Sequence, residues 1–239
     1  MWVQVKRVLK PRGVFVTTAS QPFTSMLVMS NFKWFKYSWY FRKQRAANFS
    51  AVQWQPLKVI EEILIFSNGA TTFTNGAGGN ITFNPQKVKR RKSYKRDFRK
   101  NKVKSETTFL RNQNAGMVEY THASPECIIY YDELSAGDIK CHPTQKPVAL
   151  YEYLIRTYTN PGETVLDFTM GSGTTGVASI RTGRNFIGCE LYPLPDKPIH
   201  ERDNPDYFAI AQRRCAEASL QPALFQIDAP PAERQAGLL

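Results

Sequence analysis

The first third of the chain alternates helix-like and strand-like apolar spacing. The pattern predicts a helix within residues 1–10, a strand at 14–16, a helix over 22–30 and a strand at 61–66. Residues 32–41 hold seven aromatic side chains in ten positions, which favours a strand or hairpin that enters the core over a base-stacking platform. This part is therefore expected to form a packed sheet with helices against it.

Regular patterning returns at Pro147, where a proline starts a helix that Asn160, Pro161 and Gly162 end. A short strand at 164–167 follows. The remaining predicted elements are a helix from a glycine-rich turn at 171–173 to about 181, a strand at 185–189 and a helix from 204 to about 218. We expect the Pro/Ala-rich tail at 220–239 to be frayed.

Charge is concentrated between these two patterned parts. The chain has 32 Lys+Arg against 20 Asp+Glu, a formal net charge of +12. Residues 87–104 contain eleven Lys/Arg and one acid, Asp97, so this window carries +10 and the rest of the chain only +2. Local positive charge of this kind usually meets phosphate or an anionic surface. A solvated charge run in a mobile loop region is the alternative.

Composition excludes several classes of protein. With 42% hydrophobic and 13% aromatic residues the chain is not disordered. It has no apolar run of the roughly 18 residues that a membrane span needs, and no signal-type N-terminus, so we expect a cytoplasmic protein. Its four cysteines lie far apart, which indicates a reduced protein, and Cys141–His142 lacks the second ligand pair of a zinc site.

Residues 164–190 combine a strand, a glycine loop, a helix, a second strand and a terminal acid. Gly171 and Gly173 let the backbone approach a ligand, and the following helix offers free N–H groups. Glu190, after the second strand, can accept hydrogen bonds from both ribose hydroxyls. The unit predicts a nucleoside cofactor. Residues 171–176 also match the nicotinamide fingerprint, but the late position of the unit and the acid Asp167 favour a cationic sulfonium ligand.

The motifs HPTQKP (142–147), VLDFTMGSGTTGVA (165–178) and FIGCEL (186–191) resemble the DNA amino-methyltransferases. Residues 7–23 and 204–215 are similar to the same family. The resemblance implies methyl transfer from S-adenosylmethionine to adenine N6 or cytosine N4, in the permuted subclass whose cofactor motif is C-terminal. It implies an α/β, Rossmann-like methyltransferase fold, incomplete at the N-terminus, with a basic target-recognition insert.

On this resemblance the chain divides into four parts. They are an N-terminal part of the methyltransferase sheet, the basic insert, the cofactor-binding part of the sheet and a flexible tail: 1–67, 68–140, 141–219 and 220–239.

The family's cofactor residues carry over to matching positions of this chain. The loop and Asp167 would hold the methionine part, Glu190 the ribose, and residues 142–147 would close over the cofactor. The implied cofactor-binding residues are His142, Pro143, Thr144, Gln145, Lys146, Pro147, Asp167, Phe168, Thr169, Met170, Gly171, Ser172, Gly173, Thr174, Thr175 and Glu190. Lys146 as a surface charge and His142 as a helix cap remain alternatives. The family usually has Asp-Pro-Phe here, so the aromatic Phe168 is displaced by one position.

The basic window is implied to face DNA. Its candidate phosphate-binding residues are Lys89, Arg90, Arg91, Lys92, Lys95, Arg96, Arg99 and Lys100. Tyr94 and Phe98 interrupt the run and are candidates for stacking, whereas sequence specificity is expected in polar residues at 111–114.

The family's catalytic loop, Asp/Asn/Ser-Pro-Pro followed by Tyr, Phe or Trp, is absent. In that loop an oxygen accepts the amine hydrogens of a flipped-out base while the aromatic stacks on it. The catalytic residues are therefore unknown, and the chain is interpreted as N-terminally shortened. Double-stranded DNA is the expected partner, with RNA left open and a restriction endonuclease or a second copy as further candidates. The competing hypotheses are an inactive DNA-binding module that keeps the fold and a nicotinamide oxidoreductase.

Overall fold

A computed structural model describes residues 1–43, 45–72, 79–97, 117–130, 145–191 and 206–220. Side chains within strands are not described at positions 91, 96, 97, 117 and 118. The chain separates into two compact units, Met1–Tyr130 and Tyr131–Leu239. Across the described residues, no helix is long and apolar enough to cross a membrane.

The first unit is built on a four-stranded sheet. Its elements are α1 (Trp2–Val8), β1 (Phe15–Ala19), α2 (Phe23–Ser30), β2 (Phe35–Arg42), β3 (Ile60–Phe66), β4 (Val88–Asp97), β5 (Met117–Ala123) and β6 (Ile128–Tyr130). The strand order is β1-β3-β2-β6. Strand β3 is antiparallel to β1 and β2, and β2 is parallel to β6, so β1, β2 and β6 all run in one direction.

Strand β3 forms the centre of this unit because its apolar run is covered on both faces. Residues Ile63 to Phe66 have no exposed surface. Phe66 contacts the rings of Trp2, Phe15 and Phe35 at centroid distances of 4.9, 6.1 and 5.6 Å. The aromatic run at 32–41 is confirmed as a strand that enters the core, with Trp39 and Phe41 buried. These contacts secure the N-terminal helix against the sheet.

The central segment predicted as an insert contains two different structures. Strands β4 and β5 pair antiparallel in a separate two-stranded sheet, which we call the basic ribbon. Strand β6 instead adds to the edge of the main sheet, where Tyr40 pairs with Ile128. The four-part division of the chain stays a prediction, and its tail from 221 onward lies outside the described residues.

The second unit contains a parallel strand pair covered by helices. Its elements are α3 (Val148–Tyr158), β7 (Thr164–Asp167), α4 (Thr174–Arg181), β8 (Asn185–Gly188) and α5 (Tyr207–Leu220). The predicted order of helix, strand, helix, strand and helix is confirmed, although residues 204 and 205 at the predicted start of the last helix are not described. The helices pack together through a core of small and branched residues: Val148, Ile155, Val177, Ala178 and Ala218.

Candidate functional site

The two acids singled out from the sequence lie at the carboxyl ends of neighbouring strands. Asp167 ends β7 opposite Gly188, and Glu190 follows β8 by two positions. The pairing continues past the strands, because Cys189 N donates to Asp167 O (2.8 Å) and Met170 N to Cys189 O (3.0 Å). This places both acids beside the loop that leads into α4, at the edge where open α/β sheets bind ligands.

Asp167 ties the two ends of the glycine loop together. The hydroxyl of Thr175, in the first turn of α4, donates to Asp167 Oδ2 at 2.5 Å, and Thr169 N donates to Oδ1 at 3.0 Å. Both bonds are charge-assisted and therefore among the stronger kinds of hydrogen bond. Asp167 thus fixes the shape of the loop, and it is a ligand candidate only through its remaining lone pairs.

Glu190 ties the middle of the same loop to the second strand. Gly171 N donates to Glu190 Oε2 at 2.6 Å, and Leu191 N donates to Oε1 at 3.1 Å. A carboxylate has about four acceptor positions, so each oxygen keeps capacity for a further donor such as a sugar hydroxyl. The half-buried Glu190 is therefore held in a defined orientation and can still bind a ligand.

The glycines of the loop serve packing as well as backbone freedom. Gly173 precedes α4 with φ +78°, and a Cβ there would lie 2.7 Å from the Cβ of Ala211 on α5. A Cβ at Gly176 would lie 2.5 Å from Cys215 Sγ. Helix α5 consequently packs directly on the start of α4. The first N–H groups of α4 have no acceptor inside the helix and are available to an anionic or polar ligand group.

Arg214 is a contributor that the sequence reasoning did not single out. Its Nη1 donates to the carbonyl oxygen of Ser172 at 2.6 Å and contacts Ser172 Oγ and Thr174 Oγ1 at 3.1 and 3.3 Å. The loop is thus held by α5 at Ser172 and by Glu190 at the neighbouring Gly171. Arg214 lies within the family-like stretch 204–215, but one arginine of an Arg-Arg pair on a helix gives no signal of such a contact.

The thiol of Cys215 lies next to this contact. Burial raises the pKa of Cys215, and the nearby charge of Arg214 opposes that rise. The thiol is therefore a packing group at neutral pH, since only the thiolate is strongly nucleophilic.

The motif at 142–147 is described only in its second half. His142, Pro143 and Thr144 lie outside the described residues, so their predicted role stays a prediction. Ser172 Oγ donates to Gln145 Oε1 at 3.2 Å, which brings the start of α3 to the glycine loop. Pro147 caps α3, and Lys146 is half-buried beside it. Phe168 and Thr169 are exposed on the loop.

The basic ribbon carries exposed cations beside a stack of rings. Lys89, Arg90, Lys92 and Lys95 are exposed on β4. Tyr94 and Tyr120 stack across the two strands at 4.9 Å and 10°, and the guanidinium of Arg90 lies 5.0 Å from the Tyr94 ring centre. For Arg91 and Arg96 only the backbone is described, and Phe98, Arg99 and Lys100 lie outside the described residues. The ribbon is a two-stranded element of the size that a DNA major groove admits.

The family model and the related proteins that match this chain all point to the same family. A family model described as DNA methylase matches residues 1–193. The type II methyltransferase M1.MboII of Moraxella bovis is 52% identical over 50 residues, 21% of this chain and 19% of that protein. The DNA adenine methyltransferase YhdJ of Escherichia coli K12 is 42% identical over 78 residues, 33% of this chain and 22% of that protein. The matched stretches thus span about a fifth of the length of these relatives.

Solved structures agree on the architecture. M1.HpyAVI in complex with SAM superposes with a TM-score of 0.52 at 24% identity, over 88% of this chain and 78% of that one. The protein TTHA0409 of Thermus thermophilus gives 0.51 at 19% identity, over 92% and 77%. At these identities the likeness concerns the fold alone, and it confirms the predicted α/β Rossmann-like methyltransferase fold.

Proposed function

The chain belongs to the family of N6-adenine and N4-cytosine DNA methylases, and from this premise we propose that it binds S-adenosylmethionine at the carboxyl ends of β7 and β8 and double-stranded DNA at the basic ribbon. These two sites would serve methyl transfer from the cofactor to the exocyclic amine of adenine or cytosine. The observation that carries the proposal is the double anchoring of one glycine loop, by Asp167 at its ends and by Glu190 at Gly171.

The donor set at this loop fits the proposed cofactor. Glu190 offers acceptor positions to two ribose hydroxyls, and the first turn of α4 offers backbone donors to a carboxylate. Asp167 contributes negative charge beside them, which suits an ammonium or sulfonium group better than a pyrophosphate. When bound, S-adenosylmethionine supplies the activated methyl group. Gln145 and Ser172, already in contact, are proposed to close the site from the start of α3.

The residues of this chain then bind and orient the reactants. Asp167, Glu190 and Arg214 fix the conformation of the loop through hydrogen bonds within the chain, and a loop that is already fixed loses less entropy on binding. Exposed cations of the basic ribbon neutralise phosphates and set the orientation of the duplex, without choosing a base sequence.

The second candidate function is a non-catalytic DNA-binding module that keeps the fold and the cofactor site. One specific observation favours it: the Pro-Pro-Tyr type of catalytic tetrapeptide is absent from the 239 residues. An exocyclic amine is a weak nucleophile, so a site without the oxygens that accept its hydrogens gives no fast transfer. No catalytic residue is assigned.

Partners and location follow from the same proposal. The relative M1.MboII is named as a type II methyltransferase, and by analogy we propose a restriction endonuclease of matching specificity or a second copy of this chain as further partners. By analogy with the bacterial relatives, we propose that the protein acts in the cytoplasm of a prokaryote, or of a phage-infected cell, at the nucleoid.

Transfer of tritiated methyl groups from S-adenosylmethionine to duplex DNA tests whether the absent tetrapeptide is needed, and crosslinking of the labelled cofactor tests the cofactor site. We expect ultraviolet crosslinking of the labelled cofactor to the chain, and no transfer to DNA by these 239 residues alone. Transfer at the rate of a complete enzyme would show that the absent tetrapeptide is dispensable and would refute the inactive-module candidate. A parallel reaction with RNA tests whether the ribbon distinguishes the two nucleic acids.

A further inference from the structure

The connection between β2 and β3 presents large apolar side chains to solvent. We call residues 45–58 the aromatic loop. Trp54 is 81% exposed and Phe49 is 78% exposed, and Val52 and Leu57 are also exposed. Apolar side chains of this size, grouped on one short segment, mark a contact surface more often than isolated exposed residues do.

The loop is held in shape by its own hydrogen bonds. Asn48 Nδ2 donates to Pro56 O at 2.9 Å, and Lys58 N donates to Asn48 Oδ1 at 2.6 Å, so one side chain closes the loop at its base. Between Asn48 and Pro56 the backbone forms a 3₁₀ turn at Phe49–Ala51, and Trp54 N donates to Ala51 O at 3.0 Å. The aromatic side chains therefore lie on a loop whose shape is fixed by its own hydrogen bonds.

The aromatic loop lies at the edge of the sheet where the parallel strands end. Arg42 at the end of β2 pairs with Tyr130 at the end of β6 and with Ile60 at the start of β3. Ala19 at the end of β1 pairs with Glu62. The carboxyl ends of β1, β2 and β6 thus lie together, and α/β sheets bind their ligands at this edge.

Charge around the loop favours a nucleic acid over an apolar partner. Residues 42–60 contain four Lys/Arg and no acid. Lys43 is 4.0 Å from Glu61, which offsets its charge, whereas Arg42, Arg45 and Lys58 are exposed. Aromatic side chains can stack on bases while neighbouring cations bind the phosphates of the same strand.

We propose that Trp54 and Phe49 contact the bases of the DNA substrate, by stacking on an unpaired base or by wedging between base steps, while Arg42, Arg45 and Lys58 meet the flanking phosphates. This rests on the proposed function for the identity of the partner. It adds to the basic ribbon a second contact surface, whose aromatic side chains contact base faces in addition to the phosphates that its cations meet.

The proposal is tested with Trp54→Ala, Trp54→Phe and Phe49→Ala, measured by anisotropy of a labelled duplex at three salt concentrations. Phe32→Ala is the matched control, because Phe32 is 68% exposed and lies before β2, at the opposite end of that strand. We expect Trp54→Ala to weaken binding about tenfold with an unchanged salt slope, since stacking releases no counterions, and Trp54→Phe to retain most of the affinity. Phe32→Ala should bind as the wild type does. Thermal midpoints should be unchanged because each replaced side chain is exposed.

Acrylamide quenching gives an independent readout. Trp39 is buried and Trp2 and Trp34 are half-buried, so Trp54 dominates the quenchable fluorescence, and DNA should protect it. Wild-type affinity in Trp54→Ala together with unprotected fluorescence would overturn the proposal while leaving DNA binding intact. A wild-type chain that binds no duplex would instead refute the proposed function, and this inference with it. Protection that rises with protein concentration in the absence of DNA would assign the loop to self-association and contradict the proposal.

Discussion

The backbone amide of Gly171 donates a 2.6 Å hydrogen bond to the carboxylate of Glu190, nineteen positions later in the chain. The glycine loop and the acid after the second strand are therefore one connected structure. Asp167 and Arg214 add bonds to the same loop from β7 and α5. Removing any of these contacts should lower the affinity for the cofactor.

Arg214→Met should weaken binding of S-adenosylhomocysteine about tenfold and lower the free energy of unfolding by about 1–3 kcal/mol, because it removes charged hydrogen bonds to Ser172 and Thr174. Arg213→Met is the matched control on the same helix. Arg213 is exposed and its 3.9 Å ion pair is with the exposed Glu217, so the loss of this pair should cost less than about 0.5 kcal/mol. Calorimetric titration and urea unfolding measure both effects, and equal behaviour of the two variants would remove Arg214 from the site.

Gly173→Ala should be more destabilising than Gly162→Ala, although both glycines have nearly the same positive φ, +78° and +77°. A Cβ at Gly162 meets nothing within 4 Å, so only backbone strain of about 1–2 kcal/mol applies there. A Cβ at Gly173 also collides with Ala211, which adds about 1–3 kcal/mol of overpacking. Urea unfolding curves compare the two directly. Equal losses would mean that α5 does not pack on the loop as described.

Cys215 should resist alkylation at pH 8 compared with the exposed Cys127 and Cys189. Burial raises the pKa of its thiol, so a smaller fraction is thiolate at that pH, and the rate should continue to rise at more alkaline pH. Iodoacetamide labelling followed by peptide mass spectrometry resolves each cysteine. Rapid labelling of Cys215 at neutral pH in the folded protein would contradict its packing against Gly176.

Neutralising cations of the basic ribbon should lower the affinity for DNA and make that affinity less dependent on salt. Lys92→Gln with Lys95→Gln should make the slope of log K against log salt less steep by up to about 2. Arg7→Gln with Lys33→Gln removes the same charge from exposed positions elsewhere in the first unit and should change the slope little. S-adenosylhomocysteine binding should be unaffected in both. Identical slopes for the two double variants would show that the ribbon does not face the duplex.

Periodicity and turn residues sufficed for most of the elements near the cofactor site. Pro147, Gly173 and Gly183 mark helix boundaries by local backbone chemistry, and the structure has boundaries at or next to each of them. The loop acids were predictable for the same reason, since they follow strands whose ends are visible in the sequence. Local signals of this kind do not depend on distant parts of the chain.

Contacts that depend on tertiary packing could not be predicted. Arg214 reaches Ser172 across 42 positions, and no spacing rule connects them. The ring stack of Tyr94 and Tyr120 needs the register of β4 against β5, and this register shifts between Lys89 and Tyr94. Likewise, the exposure of Trp54 depends on the closure of its loop by Asn48. The sequence shows only an aromatic residue among polar ones at that position.

The most direct test of the account is calorimetric titration of the chain and of Glu190→Gln with S-adenosylhomocysteine and, separately, with NAD. The substituted side chain keeps its size but loses its negative charge, which strengthens the hydrogen bonds that Glu190 accepts from Gly171 N and, in the proposed complex, from the ribose hydroxyls. The account predicts one S-adenosylhomocysteine site per chain, a loss of at least about tenfold in affinity for Glu190→Gln, and no binding of NAD. Binding of NAD alone, or unchanged affinity for S-adenosylhomocysteine in Glu190→Gln, would contradict it.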